Sequence, residues 1–164
     1  MKTAVIYYSF EGNSALIAKT IKDAINADIF EIKTVEQKKR SGFAKYAWGG
    51  AQAVMNKKPA LLPLSADINA YDLVILGTPV WADSPAPAMV SFLCSAKISG
   101  KKIALFCCHG GGKGKAFEKF KSLLPGNTIA GEIDFVNPAR NESAAQKQKV
   151  TEWLKTIGAN TKNT

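Results

Sequence analysis

Histidine is almost missing from this chain of 164 residues, since His109 is the single one. With Cys94, Cys107 and Cys108 as the only thiols, an ordinary zinc site has too few ligands to draw on. The cysteines include no C-x-x-C pair and two of the three are adjacent, a poor disulfide framework that reads instead as buried thiols. No apolar run approaches the roughly 18 residues that span a bilayer. The apolar stretch Ala4 to Tyr8 has no small-residue cleavage site after it, so it reads as a first strand and the expected location is the cytosol. Internal repeats and low-complexity tracts are absent. Acidic residues are scarce, 13 against 22 lysines and arginines, for a formal net charge of +9. The cations lie in small scattered groups, such as Lys38-Lys39-Arg40 and Lys113 to Lys121, with no dense tail and no recognisable nucleic-acid module. Neither nucleic acid nor a membrane is therefore an expected partner. The charge belongs to a solvated surface, or to a field that attracts an acidic partner or a phosphate-bearing ligand.

What is present is the makings of one globular domain over residues 1–164, with 46% hydrophobic and 21% charged residues. Residues 3–8 are a β-branched and aromatic run suited to a strand buried on both faces. From Ser14, the residues Leu16, Ile17, Ile21, Ala24 and Ile25 recur at helical spacing. A second, shorter strand is expected at 29–32, and further strands at 73–76, 103–106 and within 128–136. Helices are expected from Ser84-Pro85, through Phe117 and Phe120 to Pro125-Gly126, and from Glu142 to Ile157. Strand and helix alternate five times, which predicts a parallel sheet covered by helices on both faces. Residues 34–70 interrupt the alternation. Phe43, Ala47, Trp48, Ala51, Val54 and Met55 share one helical face there, Pro59 ends the pattern, and Leu61-Leu62 reads as a tethered loop. Residues 158–164 read as a frayed tail.

Ligands of open parallel sheets bind beyond the carboxyl ends of the strands. Three segments arrive at that edge. Ser9-Phe10-Glu11-Gly12-Asn13-Ser14 joins a buried strand to a helix with hydroxyls, an amide and a glycine, neutral donors suited to a phosphate at a helix N-terminus. Ordinary capping by Asn13 or Ser14 explains the same residues equally well. Thr78-Pro79-Val80-Trp81-Ala82-Asp83 places a tryptophan in a proline-flanked loop, where its plane offers a platform for a flat ring. Cys108-His109-Gly110-Gly111-Gly112 lets backbone approach a ligand closely, with His109 either a ring neighbour or a cap on the strand end. No Walker loop is present, because neither Lys113 nor Lys115 is followed by Ser or Thr, and no G-x-G-x-x-G follows the first strand. A Cys108–His109 nucleophile pair fails because neighbours on an extended chain point to opposite faces.

Taken together, these loops make the chain similar to the flavodoxin family over essentially its whole length. Ser9 to Ser14 resembles that family's phosphate loop of hydroxyl, any residue, Thr, Gly, any residue, hydroxyl, with Glu11 at the frequent threonine position. Gly77-Thr78-Pro79-Val80-Trp81-Ala82, and the run from Gly42-Phe43 to Lys57-Lys58-Pro59, resemble a bacterial branch of the family. The resemblance implies an α/β flavodoxin-like fold with a five-stranded parallel sheet in the order 2-1-3-4-5. It implies FMN as cofactor, held by the residues of the three loops, and electron transfer to a redox partner protein or a small-molecule acceptor. An NAD(P)H-dependent FMN or quinone reductase, with Lys113 or Lys115 holding the donor's phosphates, is the alternative enzyme. A flavin-free binding module on the same fold is a third class.

Overall fold

A computed structural model describes residues 1–36, 58–140 and 143–161. In chain order the elements are β1 (Thr3–Tyr7), α1 (Asn13–Ile25), β2 (Asp28–Glu31), a 3-10 turn (Ile68–Ala70), β3 (Leu73–Trp81), β4 (Ser84–Pro85), α2 (Pro87–Ala96), β5 (Lys102–His109), α3 (Ala116–Ser122), β6 (Thr128–Val136) and α4 (Ala144–Thr156). The sheet runs β2-β1-β3-β5-β6, all parallel, with β4 paired antiparallel to the end of β3. Counting the parallel strands alone, this is the expected order 2-1-3-4-5.

Alternation along each central strand sends side chains to two cores. Ile6, Leu76 and Leu105 meet Met89 and Phe92 of α2 and Phe117 and Phe120 of α3 on one face. Val5, Ile75 and Phe106 meet Ile17 and Ile21 of α1 and Val150 and Leu154 of α4 on the other. The β1 residues are buried without exception, as a strand covered on both sides requires. On β3, Gly77 lies against the Phe106 ring, whose atoms occupy the space a Cβ would need.

Several boundaries differ from the sequence reading. The third strand continues past Leu76 to Trp81, and the fourth runs to His109, so Trp81 and Cys107 to His109 are strand residues and not loop residues. Ser84-Pro85 does not open a helix. Ala82 and Asp83 both take left-handed backbone angles, φ 48 and 56, which turn the chain back on itself and lay Ser84-Pro85 beside Trp81 and Val80. Pro85 is tolerated because that two-residue strand is an edge, and the helix begins at Pro87, a first-turn proline. The final helix starts at Ala144, where the Ser143 hydroxyl accepts from Gln146 N at 3.3 Å. Ala159, expected in a frayed tail, is buried and donates its N–H to Leu154 O.

Leu61-Leu62 is tethered as expected: Leu61 bridges Thr34, Val35 N donates to Ala60 O, and Leu62 N donates to Lys33 O. The expected helical face from Phe43 to Met55, Trp48 included, falls outside the described residues.

Candidate functional site

Because β1, β3 and β5 are parallel neighbours, the chain leaves all three at one edge of the sheet. The first loop carries Ser9 to Ser14. Gly12 has φ +91 and stands at the N-cap of α1, where it has no side chain of its own to cap the turn. Ser9 Oγ accepts from Ala15 N at 3.2 Å. Asn13, read from sequence as a possible cap, turns elsewhere: its Oδ1 accepts from Ala139 N at 2.9 Å. Ser14 is 1% exposed, and its Oγ has no hydrogen-bond partner. Burial pushes the Cys108 thiol up to about 12, opposed by the nearby Ser14 hydroxyl. Glu11 is exposed.

The second segment is the β3–β4 hairpin. Thr78 is fully buried, its Oγ1 accepting from Ala86 N at 3.0 Å and donating to Pro79 O at 3.1 Å, so this hydroxyl fastens the hairpin. Trp81 stands edge-to-face with Phe10, centroids 5.2 Å apart, and with Tyr8 at 6.1 Å. Burial pushes the Tyr8 hydroxyl up to about 12, so it stays a neutral phenol. Trp81 therefore packs partly against the core. Asp83, at the tip, touches Gly114 of the third segment so closely that a Cβ on Gly114 would meet its carboxylate.

In the third segment Cys108 is buried toward α1, while Gly111 and Gly112 have open space where a Cβ would stand. The His109 side chain is 7% exposed, with Nε2 3.1 Å from Asp134 Oδ2. A carboxylate only accepts, so that bond places a proton on Nε2. Lys113 Nζ donates to the other carboxylate oxygen at 2.8 Å, and Lys149 Nζ to the Asp134 carbonyl at 2.7 Å. Burial raises the Asp134 carboxyl, but the bonds from Lys113 and His109 outweigh it and hold it below the ordinary carboxylate range. A depressed carboxyl stabilises the fold above its unfolded pKa and loses that contribution as pH falls through its folded value. Asp134→Asn should thus be destabilised relative to the parent near neutrality. The gap should close in acid, as the parent's carboxyl takes up its proton, and urea denaturation across pH reads both.

A fourth segment, residues 137–140, joins these three without having been singled out in the sequence. Asn137 has φ 41, its N–H donates to His109 O at 2.9 Å and its Nδ2 to Gly110 O at 3.3 Å. Together with the Asn13–Ala139 bond, these contacts close a ring: first loop to hairpin through Phe10 and Trp81, hairpin to third loop through Asp83 and Gly114, third to fourth through Asn137, and fourth back to first. The dipeptide Asn137-Pro138, a turn signal, is the clue the sequence holds. Elsewhere, a cavity of about 810 Å³ opens between Lys58–Asn69 and α2, and none of the loop-edge residues lines it.

The family model for flavodoxin matches residues 2–157. The chain belongs to the flavodoxin family. Among solved structures it is similar to a flavoprotein in complex with FMN from Lactobacillus acidophilus NCFM, 25% identical, with a TM-score of 0.68 and coverage of 86% of this chain and 96% of that one. It also resembles a flavoprotein candidate from Bacteroides eggerthii DSM 20697, 21% identical, TM-score 0.80, covering 97% and 99% of the two chains. Two-electron reduced Megasphaera elsdenii flavodoxin shares the fold at 18% identity and TM-score 0.58, with 96% and 99% covered. Among curated proteins none matches. In this flavodoxin-family chain the cluster of loops lies where open α/β sheets take their ligands, at the switch between β1 and β3, a rule of which flavodoxin is itself a standard instance. Among the described residues, no group of His, Cys, Asp and Glu is arranged to hold a metal, and no helix is long and apolar enough to cross a membrane.

Proposed function

We propose that this flavodoxin-family protein binds FMN at the loop edge and carries electrons between partners in the cytosol. The observation that carries the reading is the start of α1. The N-cap Gly12 brings no side chain to the first turn, and beside it stands a buried Ser14 hydroxyl that lacks a partner; a phosphate answers both. Bound FMN supplies a ring that accepts and releases electrons. Around it, Ser9 to Ser14 would hold the phosphate through backbone N–H groups and the Ser14 hydroxyl. Pro79 to Asp83 would border the ring, with Trp81 as its aromatic neighbour, held upright by Tyr8 and Phe10. Cys108 to Gly112 would close the polar edge, with backbone in place of bulky side chains. Free thiols at Cys94, Cys107 and Cys108 suit a reducing compartment.

A carrier is favoured over a reductase because Lys113, a candidate for a nicotinamide donor's phosphates, is already bonded to Asp134. Protein purified without added flavin should release FMN, identified by mass. Mixed anaerobically with NADPH or NADH alone, the FMN-loaded protein should keep its flavin absorbance. Release of FAD, or no flavin uptake on soaking with FMN, would overturn the cofactor; rapid saturable bleaching by either nucleotide would replace the carrier with a reductase.

A further inference from the structure

The phosphate loop offers neutral donors and no cation. FMN brings a dianionic phosphate, yet Ser9 to Ser14 contain no cation and one carboxylate, Glu11. Backbone dipoles at a helix start offset roughly half a unit charge. The fourth loop stands against this site. Ala139 N donates to Asn13 Oδ1 at 2.9 Å, which fastens residue 139 to the first residue of α1. The turn is held from the other side as well, by Asn137 on His109 and Gly110, and it is closed internally by Arg140 N on Asn137 O at 2.9 Å. Arg140 is therefore one residue, ~3.8 Å of chain, from the contact with α1, which is less than the length of an arginine side chain. It is exposed, and among the described residues no acid or carbonyl engages its guanidinium. Lys113, Lys119 and Lys149, three cations near this edge, are engaged by Asp134, Ser84 and Asp134 respectively.

We propose that Arg140 is the cation of the phosphate site, delivered by the fourth loop because the first loop has none. The planar guanidinium matches two phosphate oxygens at once, and its distance along the chain from the helix start is bridged by the Asn13 tether. Arg140 thereby sets the preference for the phosphorylated flavin, while the Asn13–Ala139 bond is the positioning contact. The role rests on FMN being the ligand.

The test is titration of flavin-free protein with FMN and with riboflavin at low and high salt. Arg140→Gln should weaken FMN about fivefold at low salt, the scale of an exposed charge pair, with a smaller loss at high salt and riboflavin unchanged. Arg140→Lys should recover part of the loss. Asn13→Ala should mimic Arg140→Gln, and combining the two should add little, since the tether acts only through the arginine. Arg140→Gln with unaltered FMN affinity at low salt, or with equal losses for FMN and riboflavin, would overturn the assignment. The parent protein tells the two readings apart. If it held FMN no better than riboflavin, phosphate recognition at the first loop would fall and Arg140 with it; a parent that prefers FMN beside an indifferent Arg140→Gln removes the arginine alone.

Discussion

Ser14→Ala is expected to lower FMN affinity about ten- to hundredfold while leaving riboflavin affinity close to that of the parent and folding stability no lower than the parent's. The combination is unusual, because removing a buried polar group normally costs stability. Here the Ser14 hydroxyl is 1% exposed and has no partner in the free protein, so no hydrogen bond is broken by deleting it. Leaving such a group unmade already costs about 1–3 kcal/mol, which alanine relieves. With FMN bound, the same hydroxyl gains a charged acceptor, and the variant forgoes that bond. Isothermal titration with both flavins and a urea melt of the free protein give the three readings. Loss of both flavins together, or a free protein clearly less stable than the parent, would place Ser14 in the scaffold and not at the phosphate.

Gly77→Ala should be the most damaging single-methyl change in the central sheet. The ring of Phe106 on the neighbouring strand β5 lies across the Gly77 backbone and fills the volume of a Cβ. Both strands are hydrogen-bonded on either side, so neither moves aside, and Phe106 is itself fully buried between β5 and the α1–α4 layer. Overpacking of this kind costs about 1–3 kcal/mol and more where relaxation is blocked. For a chain of this length each kcal/mol lowers the melting temperature by roughly 2–4 °C. Phe106→Leu in the same chain should recover part of the loss, since a smaller side chain vacates the space. A Gly77→Ala variant melting within a degree or so of the parent would mean that the ring rotates away at little cost.

The parallel sheet, the two helical layers and the convergence of three loops were legible from buried runs such as Ala4 to Tyr8 and Ile103 to Phe106, and the strand order from the likeness of the loops to flavodoxin. Strand ends were not. Thr78 to Trp81 and Cys107 to His109 lie beyond the purely apolar cores, and their extension depends on cross-strand partners, Thr78 opposite Cys107 and Pro79 opposite Cys108, which no local pattern reveals. The hairpin was hidden for a different reason. Its turn residues, Ala82 and Asp83, lack the glycine that advertises left-handed backbone, and Pro85 looks like a helix start. Asp134 escaped notice because it lies 25 residues from His109, a distance the sheet alone spans. Trp81 reads from its prolines as a free loop residue, whereas it ends a strand and leans on Phe10 and Tyr8.

The paired bonds Val35 to Ala60 and Lys33 to Leu62 have a bearing on how this chain came to be basic. They bring the two flanks of residues 36–59 together as a closed gate in the path of the chain. Whatever lies between enters and leaves at one point, so its length can change with little consequence for the sheet. Within it, residues 37–57 hold Lys38, Lys39, Arg40, Lys45 and Lys57 and no acidic residue, equal to five of the nine net positive charges. More than half of the chain's net positive charge is thus modular. A lineage could acquire or discard it by one insertion or deletion at a single junction, and leave the sheet as it was.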